Sequence, residues 1–313
     1  FEIELFTGFP SGEHFGVSDE VSKEFVDFVK EPDKRNLEYI TKPYSEYSEL
    51  KECLLIPRRK LRSWLGKRNL TIIPGSTLSL GNSKIFQRSD PMNKYHDYIE
   101  LNYGTDVVTT SVHINLGIDD VTNLFSALRL VRCEAALFLS ISASSPFIDS
   151  SITGAHSQRW KQFPKTPKNV PLFLNHSHYI SWIEDQLNGG SMHNERHLWS
   201  SARPNGPDRP YKLNRLELRI CDLITDCDLL IAVTAFLELR IKSLLNDQSL
   251  LDPLKASKFT PEDLVQLSDM NEDNAAESSL DANLSHWQDG RKILCRDWIA
   301  ELLDQMLPLA NEM

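Results

Sequence analysis

An α+β fold, with antiparallel strands carrying the chemistry and helices behind them, is what the sequence predicts. Three observations lead there. Short segments such as FEIELF (1–6) and RLELRICD (215–222) alternate apolar and polar residues with the period of a half-buried strand. Apolar-periodic segments long enough for helices intervene, above all DCDLLIAVTAFLELRIKSLLND (226–247). No internal repeat and no low-complexity linker divides the 313 residues. We therefore expect one catalytic-size domain over 1–313, mainly helical from about 224 onward.

The elements follow in order. After the strand at 1–6, a loop with Gly8, Gly12 and Gly16 leads to SDEVSKEFVDFV. There Ser18 is the expected N-cap, with Val21 and Phe25 turned inward. NLEYIT (36–41) alternates as a strand and stops before Pro43, and a helix is expected from about Ser45 to Lys67. LTIIPGSTLSLG (70–81) reads as a short strand and turn, and NKYHDYIELNYG (93–104) as a helix closed by Gly104. VVTTSVHINLG (107–117) has high strand propensity, and Asp119 or Asp120 caps an apolar helix running to about Ser145. Residues 153–171 are a Pro-punctuated loop, HYISWIEDQLN a short helix, 215–222 a strand and 226–247 a helix. Two or three further helices complete the chain.

Bulk properties narrow the function. A hydrophobic share of 41% and a charged share of 25% are those of a soluble globular protein. The net charge of −10 excludes general nucleic-acid binding, which needs a basic footprint. The basic run RRKLRSWLGKR (58–68) reads as a solvated helix face with Leu61, Trp64 and Leu65 inward. Five scattered cysteines without a CxxC pair suggest reduced thiols and a cytoplasmic protein. No apolar run is long enough for a membrane span. With no signal peptide and no initiator Met, the sequence is expected to begin inside a longer chain.

Four strand-like segments share one property. In FEIELF the apolar Phe1, Ile3 and Leu5 oppose Glu2 and Glu4 across the strand, and in NLEYIT Glu38 sits among apolar neighbours. In SVHINLG, Val112, Ile114 and Leu116 oppose Ser111, His113 and Asn115. In RLELRICD, Leu216, Leu218 and Ile220 oppose Arg215, Glu217, Arg219 and Cys221. If these strands belong to one sheet, its polar face gathers four carboxylates, an imidazole, an amide and arginines. Clustered carboxylates raise each other's pKa unless cations neutralise them, and hard oxygen ligands suit Mg²⁺ or Mn²⁺ with a nucleoside triphosphate. Pattern alone leaves two readings open, a divalent-metal phosphate site and an ordinary solvated sheet face.

Competing motifs are few. Neither GxxxxGK[ST] nor GxGxxG occurs, so no P-loop or dinucleotide-binding site is supported, and PGSTLSLG is read as a turn. HSH (176–178) and HNERH (193–197) bring four histidines close in sequence. His193 and His197 would share a helical face, but HNERH is not HExxH, and a loop is the expected setting.

SVHINLG, SASSPF (142–147), TGAHSQRWKQFPKTP, RHLWSSARPNG (196–206) and NRLELRICD, in that order, resemble the glutamate–cysteine ligase type 2 family, its cyanobacterial branch above all. The resemblance runs from Phe1 beyond TAFLELR. It implies a glutamine synthetase-like fold, a curved antiparallel sheet forming a funnel with helices packed on its back. The family's ExE strand is matched by Glu2 and Glu4. Its Glu, Thr, Pro strand is matched by Glu38, Thr41 and Pro43, with Lys42 intervening. His113 and Asn115 match its His-x-Asn or His-x-His strand, and Glu217 and Arg219 its Glu-x-Arg strand. Arg203 with Pro204 matches the x-Arg-Pro element, and Ser157 with Arg159 the Ser-x-Arg loop.

What the resemblance implies is an ATP-dependent ligase that makes γ-glutamylcysteine, the first step of glutathione biosynthesis. Glu2, Glu4, Glu38, His113 and Glu217 are then expected to hold Mg²⁺ or Mn²⁺. Arg219 and Arg203 are expected to stabilise charge on the transferring phosphoryl group. Arg159, Asn115 and Ser157 are expected to bind substrate or nucleotide. Partners are then glutamate, cysteine and ATP, with no nucleic acid and no membrane, in a monomer or homodimer. A ligase for another amine and a non-catalytic binding paralogue are the alternatives. Glu217→Gln and Arg219→Ala are expected to abolish turnover with the fold intact.

Overall fold

The computed structural model describes residues 1–312. In chain order its elements are β1 (Glu2–Gly8), α1 (Ser18–Glu24), β2 (Phe28–Lys30), β3 (Asn36–Ile40), α2 (Tyr47–Gly66), β4 (Thr71–Ile73), α3 (Lys94–Tyr103), β5 (Val112–Gly117) and α4 (Val121–Ser142). Then come β6 (Phe147–Ile148), β7 (Ser151–Ile152), α5 (Gln158–Gln162), α6 (His176–Asn188), β8 (Ala202–Asn205), β9 (Arg215–Leu218) and α7 (Cys227–Asn246). The chain closes with α8 (Gln248–Leu251), α9 (Pro253–Ala256), α10 (Pro261–Ser278), β10 (Asn283–Ser285), β11 (Lys292–Leu294) and α11 (Cys295–Asn311). The chain forms two compact units. The first holds residues 1–113, 142–164 and 221–231, and the second 114–141, 165–220 and 232 onward.

In the first unit β3 lies between β2 and β1, all antiparallel, and β4 pairs with the far end of β1. The start of β5 pairs with β1 through Ile3↔Val112 and Glu2↔His113. Alternation then sorts the side chains. Ile3, Leu5, Leu37, Tyr39 and Val112 leave one face and are buried. The α2 helix lies against this apolar face, where the Tyr39 hydroxyl donates to the Leu54 carbonyl at 3.0 Å. Each such fully buried apolar side chain contributes roughly 1.5–3 kcal/mol. Leu61, Trp64 and Leu65 are buried as the amphipathic reading requires, and Arg68 lies over the Trp64 ring at 3.5 Å.

In the second unit the end of β5 pairs with β9, and β9 with β8, again antiparallel. The α4 helix is apolar nearly all round and correspondingly buried. Phe138 of α4 meets Phe236 of α7, ring centroids 5.3 Å apart. Glu134 of α4 accepts from Arg240 of α7 at 2.9 and 2.7 Å and from the Trp287 indole at 3.1 Å.

Four local expectations are corrected. Val17, not Ser18, is the N-cap of α1, and Phe25 has extended backbone because the chain is already leaving the helix for β2. Phe28 then packs its ring, tilted, against Tyr39 of β3 (5.6 Å), a partner that local periodicity does not show. β5 begins at Val112, because Gly104–Val107 forms a 3-10 turn with Gly104 at φ 55°. β9 ends at Leu218, where the Arg219 N–H turns to the Ser201 carbonyl. The C-terminal part adds the β10–β11 hairpin between α10 and α11. Asp120 does cap α4, accepting from the Asn123 N–H at 2.7 Å. Cys133, Cys221, Cys227 and Cys295 are buried and Cys53 partly so, all as thiols. No helix of the described residues is long and apolar enough to cross a membrane.

Candidate active site

The polar face of the first unit's strands collects acids. Glu2 and Glu4 leave β1 on the side opposite Ile3, and Glu38 stands across from Glu4 on β3. Glu31, just past β2, returns through the β2–β3 hairpin to hydrogen-bond Glu38. Burial first, then the charges of Glu31, Glu2 and Glu4, push the Glu38 carboxyl well above the ordinary carboxylate range. Just before β5, Ser111 donates to Glu4 at 2.7 Å and contacts His113 Nε2 at 3.0 Å. His113 Nδ1 in turn meets Glu2 at 3.1 Å. This donor set, oxygen-rich with one imidazole, fits a hard divalent cation, and the mutual repulsion at Glu38 is what such a cation relieves.

A second set belongs to the other unit. Glu217 on β9 is fully buried, and its Oε2 accepts Arg203 Nε and Asn205 Nδ2, both at 2.8 Å. Its Oε1 accepts Arg203 Nη2 at 3.0 Å and Arg219 Nη1 at 2.5 Å. Arg203 and Asn205 are on β8, whose register sets Arg203 opposite Glu217. Burial, then the neighbouring Arg219 charge, brings the Arg203 guanidinium down to about 10. Asn115 on β5 stands opposite Glu217, and its Oδ1 accepts from Arg215 Nε at 3.2 Å and Asn205 Nδ2 at 3.4 Å.

A third set, in the first unit, is built on Asp222. This buried carboxylate accepts from the Ser144 N–H (2.9 Å), the Ser145 hydroxyl (2.7 Å) and the Ser157 hydroxyl (2.9 Å). Ser157 also accepts the Trp160 N–H at 3.3 Å as N-cap of α5. The Arg159 guanidinium lies 3.9 Å from Asp222 and faces the Trp160 and Phe163 rings.

The structure thus brings Glu2, Glu4, Glu38 and His113 together in one unit, and Arg203, Asn115, Glu217 and Arg219 together in the other. Ser157 is engaged in holding a helix end and Asp222. The Thr41 N–H donates to the Phe1 carbonyl at 2.9 Å. Sequence reasoning missed Glu31, Asn205 and Asp222. The hairpin FVKEPDKRNLEYI was the available signal for Glu31, since a tight return sets residue 31 beside residue 38. His193 and His197 have ring centroids 5.8 Å apart, but His193 precedes a 3-10 turn, Glu195–His197, that ends on His197, and no α-helix face carries the pair. His197 is buried against Trp199, which lowers its pKa to about 4, and His176 and His178 are engaged with the Pro210 carbonyl and the Leu174 N–H.

Comparison with known proteins adds a family. The profile of glutamate–cysteine ligase family 2 matches residues 10–313. A provisionally assigned glutamate–cysteine ligase 2 of Bradyrhizobium sp. (strain ORS 278) is 26% identical over 214 residues, 66% of this chain and 50% of the relative. The chain thus spans half the length of that relative. A crystal structure of glutamate–cysteine ligase from Francisella tularensis in complex with AMP superimposes with a TM-score of 0.74 at 16% identity, covering 100% of this chain and 78% of that one. A bifunctional glutathione synthetase from Pasteurella multocida gives 0.69 at 14% identity, covering 97% and 45%. These likenesses carry the α+β, glutamine synthetase-like fold.

Proposed function

The chain belongs to glutamate–cysteine ligase family 2, and from that premise we propose that it is an ATP-dependent carboxylate–amine ligase joining the γ-carboxylate of L-glutamate to the α-amine of L-cysteine. The observation that carries this reading is the acid cluster Glu2, Glu4, Glu31 and Glu38, where Glu38 is disfavoured as an anion by burial and by its neighbours. Such a cluster is costly unless a cation completes it.

A carboxylate does not accept an amine directly, because oxide would have to leave. A γ-carboxylate oxygen of glutamate attacks the terminal phosphorus of ATP, and the bond to ADP breaks. The cysteine amine then attacks the acyl carbon of the γ-glutamyl phosphate, phosphate leaves, and the amine gives up a proton. Glu2, Glu4, Glu31, Glu38 and His113 would hold Mg²⁺ or Mn²⁺, and Glu217 keeps the ion-binding role that the resemblance implies. The ion would neutralise phosphate charge during transfer. Arg203 and Arg219, oriented through Glu217, supply donors toward developing phosphoryl charge. Arg159, steadied beside Asp222, is assigned to a substrate carboxylate or phosphate, and Asn115 to positioning on the same strand as His113. The first step of glutathione biosynthesis, a cytoplasmic location and a monomer or homodimer belong to the same proposal.

The test is phosphate release from purified protein with Mg²⁺, ATP and glutamate, on adding cysteine, alanine or 2-aminobutyrate in turn. Fastest release with cysteine supports the reading. Equal rates with alanine replace cysteine by another acceptor, and no release with any amine favours a non-catalytic binder.

A further inference from the structure

The loop joining β8 to β9, residues 206–214, is tightly made. A Cβ on Gly206 would lie 2.0 Å from the Lys212 carbonyl oxygen, so the loop closes only around glycine. Two hydrogen bonds fasten it to α6: His176 Nε2 meets the Pro210 carbonyl at 2.8 Å, and the Tyr211 hydroxyl donates to Glu184 at 3.0 Å. Tyr179 lies between these two anchors on the helix. It is fully buried, with Phe125 packed at 5.8 Å and Phe173 at 5.0 Å.

Arg209, held in the same loop, stands within electrostatic reach of Glu217, Tyr179, Arg196 and Arg219. The oxygens of Glu217 already accept from Arg203, Arg219 and Asn205. Within this unit the guanidiniums of Arg203 and Arg219 bond one carboxylate, and the charge of Arg209 acts on it from farther away. Arg209 Nη1 and the Tyr179 hydroxyl are both buried without a hydrogen-bond partner among the described residues. Leaving such a group unsatisfied costs roughly 1–3 kcal/mol, more for a charged one. Two orphan donors beside an excess of positive charge make an oxyanion the complementary ligand.

We propose that the Arg209 guanidinium and the Tyr179 hydroxyl form a binding position for an oxyanion group of a substrate, a carboxylate or a phosphoryl oxygen. The assignment rests on the ligase reading for the identity of the substrates, and on the loop geometry for the position itself. Arg209 and Tyr179 are not among the residues matched to the family's motifs above, so this loop would tune affinity in this chain.

Titration calorimetry with glutamate, cysteine, inorganic phosphate and MgADP tests it on wild type, Arg209→Gln, Arg209→Lys and Tyr179→Phe. Arg209→Gln is expected to weaken one ligand class about tenfold or more and leave the others within about twofold, with partial recovery in Arg209→Lys. Loss confined to glutamate or cysteine assigns a carboxylate, and loss confined to phosphate and MgADP assigns a phosphoryl group. Steady-state kinetics should show the same selectivity in KM. Unchanged affinities in a folded Arg209→Gln protein overturn the proposal. Should that variant unfold, Tyr179→Phe decides, since it removes one oxygen from a packed ring, and unchanged affinities there overturn it equally. Calorimetry separates the two readings: selective loss of binding without ligase turnover keeps the subsite and sinks the ligase.

Discussion

Glu4 and Glu38 stand directly opposite each other on β1 and β3, an arrangement in which like charges oppose folding. Their strands are nonetheless fixed in register by Ile3↔Tyr39 and Leu5↔Leu37, whose burial holds the acids together.

That repulsion sets a pH dependence. The Glu38 carboxyl is raised above its ordinary value of 4.5, so the fold binds its proton more tightly than the unfolded chain does. Its contribution is fully present below 4.5 and is lost as pH rises through the folded value. Without divalent ions, thermal midpoints should therefore fall as pH rises from 4.5 through the acid range. Glu38→Gln should flatten that fall, and Mg²⁺ should raise the midpoint at neutral pH in wild type but less in the variant. A midpoint indifferent to Mg²⁺ in wild type would count against an ion at these acids.

Glu217→Gln is expected to cost about 3 kcal/mol or more as well as abolishing turnover, because it leaves Arg203 and Arg219 buried without their shared counter-charge. This departs from the sequence-based expectation of an intact fold. Denaturant unfolding beside a phosphate-release assay checks both halves.

Ser157→Ala should lower stability by about 1 kcal/mol through the lost α5 cap and the lost bond to Asp222, with KM for each substrate within about twofold. A selective rise in one KM would give Ser157 the binding role that the resemblance implies.

Arg240→Ala strands Glu134 in the helical core of the second unit, where its remaining donor is the Trp287 indole. A loss of about 3–5 kcal/mol is expected. Turnover per folded molecule should stay close to wild type, as measured by active-site titration at low temperature.

Glu2, Glu4, Glu38, Glu217 and Arg219 were legible because strand period fixes which residues share a face, and four segments repeat the same alternation, whereas Arg203 and Arg159 came from the family resemblance alone. Glu31 and Asn205 were hidden for one reason: each joins the site from the end of a strand too short to show its own alternation. Glu31 follows a three-residue strand that looks like helix continuation, and Asn205 ends a strand containing proline, which ordinarily argues against one. On sequence grounds His193 and His197 were set aside because HNERH is not HExxH, and no α-helix carries them. Their sequence proximity holds, but the backbone between them makes a 3-10 turn, and burial of His197 against Trp199 uses its ring for packing. The β10–β11 hairpin escaped notice because three-residue strands carry too little alternation to stand out from flanking helices.

The buried cysteines give the chain a chemical silence. Burial pushes the Cys133 and Cys221 thiols up to about 12 and Cys295 to about 11, and raises Cys53 and Cys227 as well. At neutral pH a thiol near 12 is ionised in only about one molecule in 10⁵, and the thiolate is the species that attacks disulfides. A small disulfide in the surrounding solution therefore meets almost no thiolate at Cys133, Cys221 and Cys295. A swing in the thiol–disulfide balance around the protein can alter what reaches it while leaving these three sulfurs as they are.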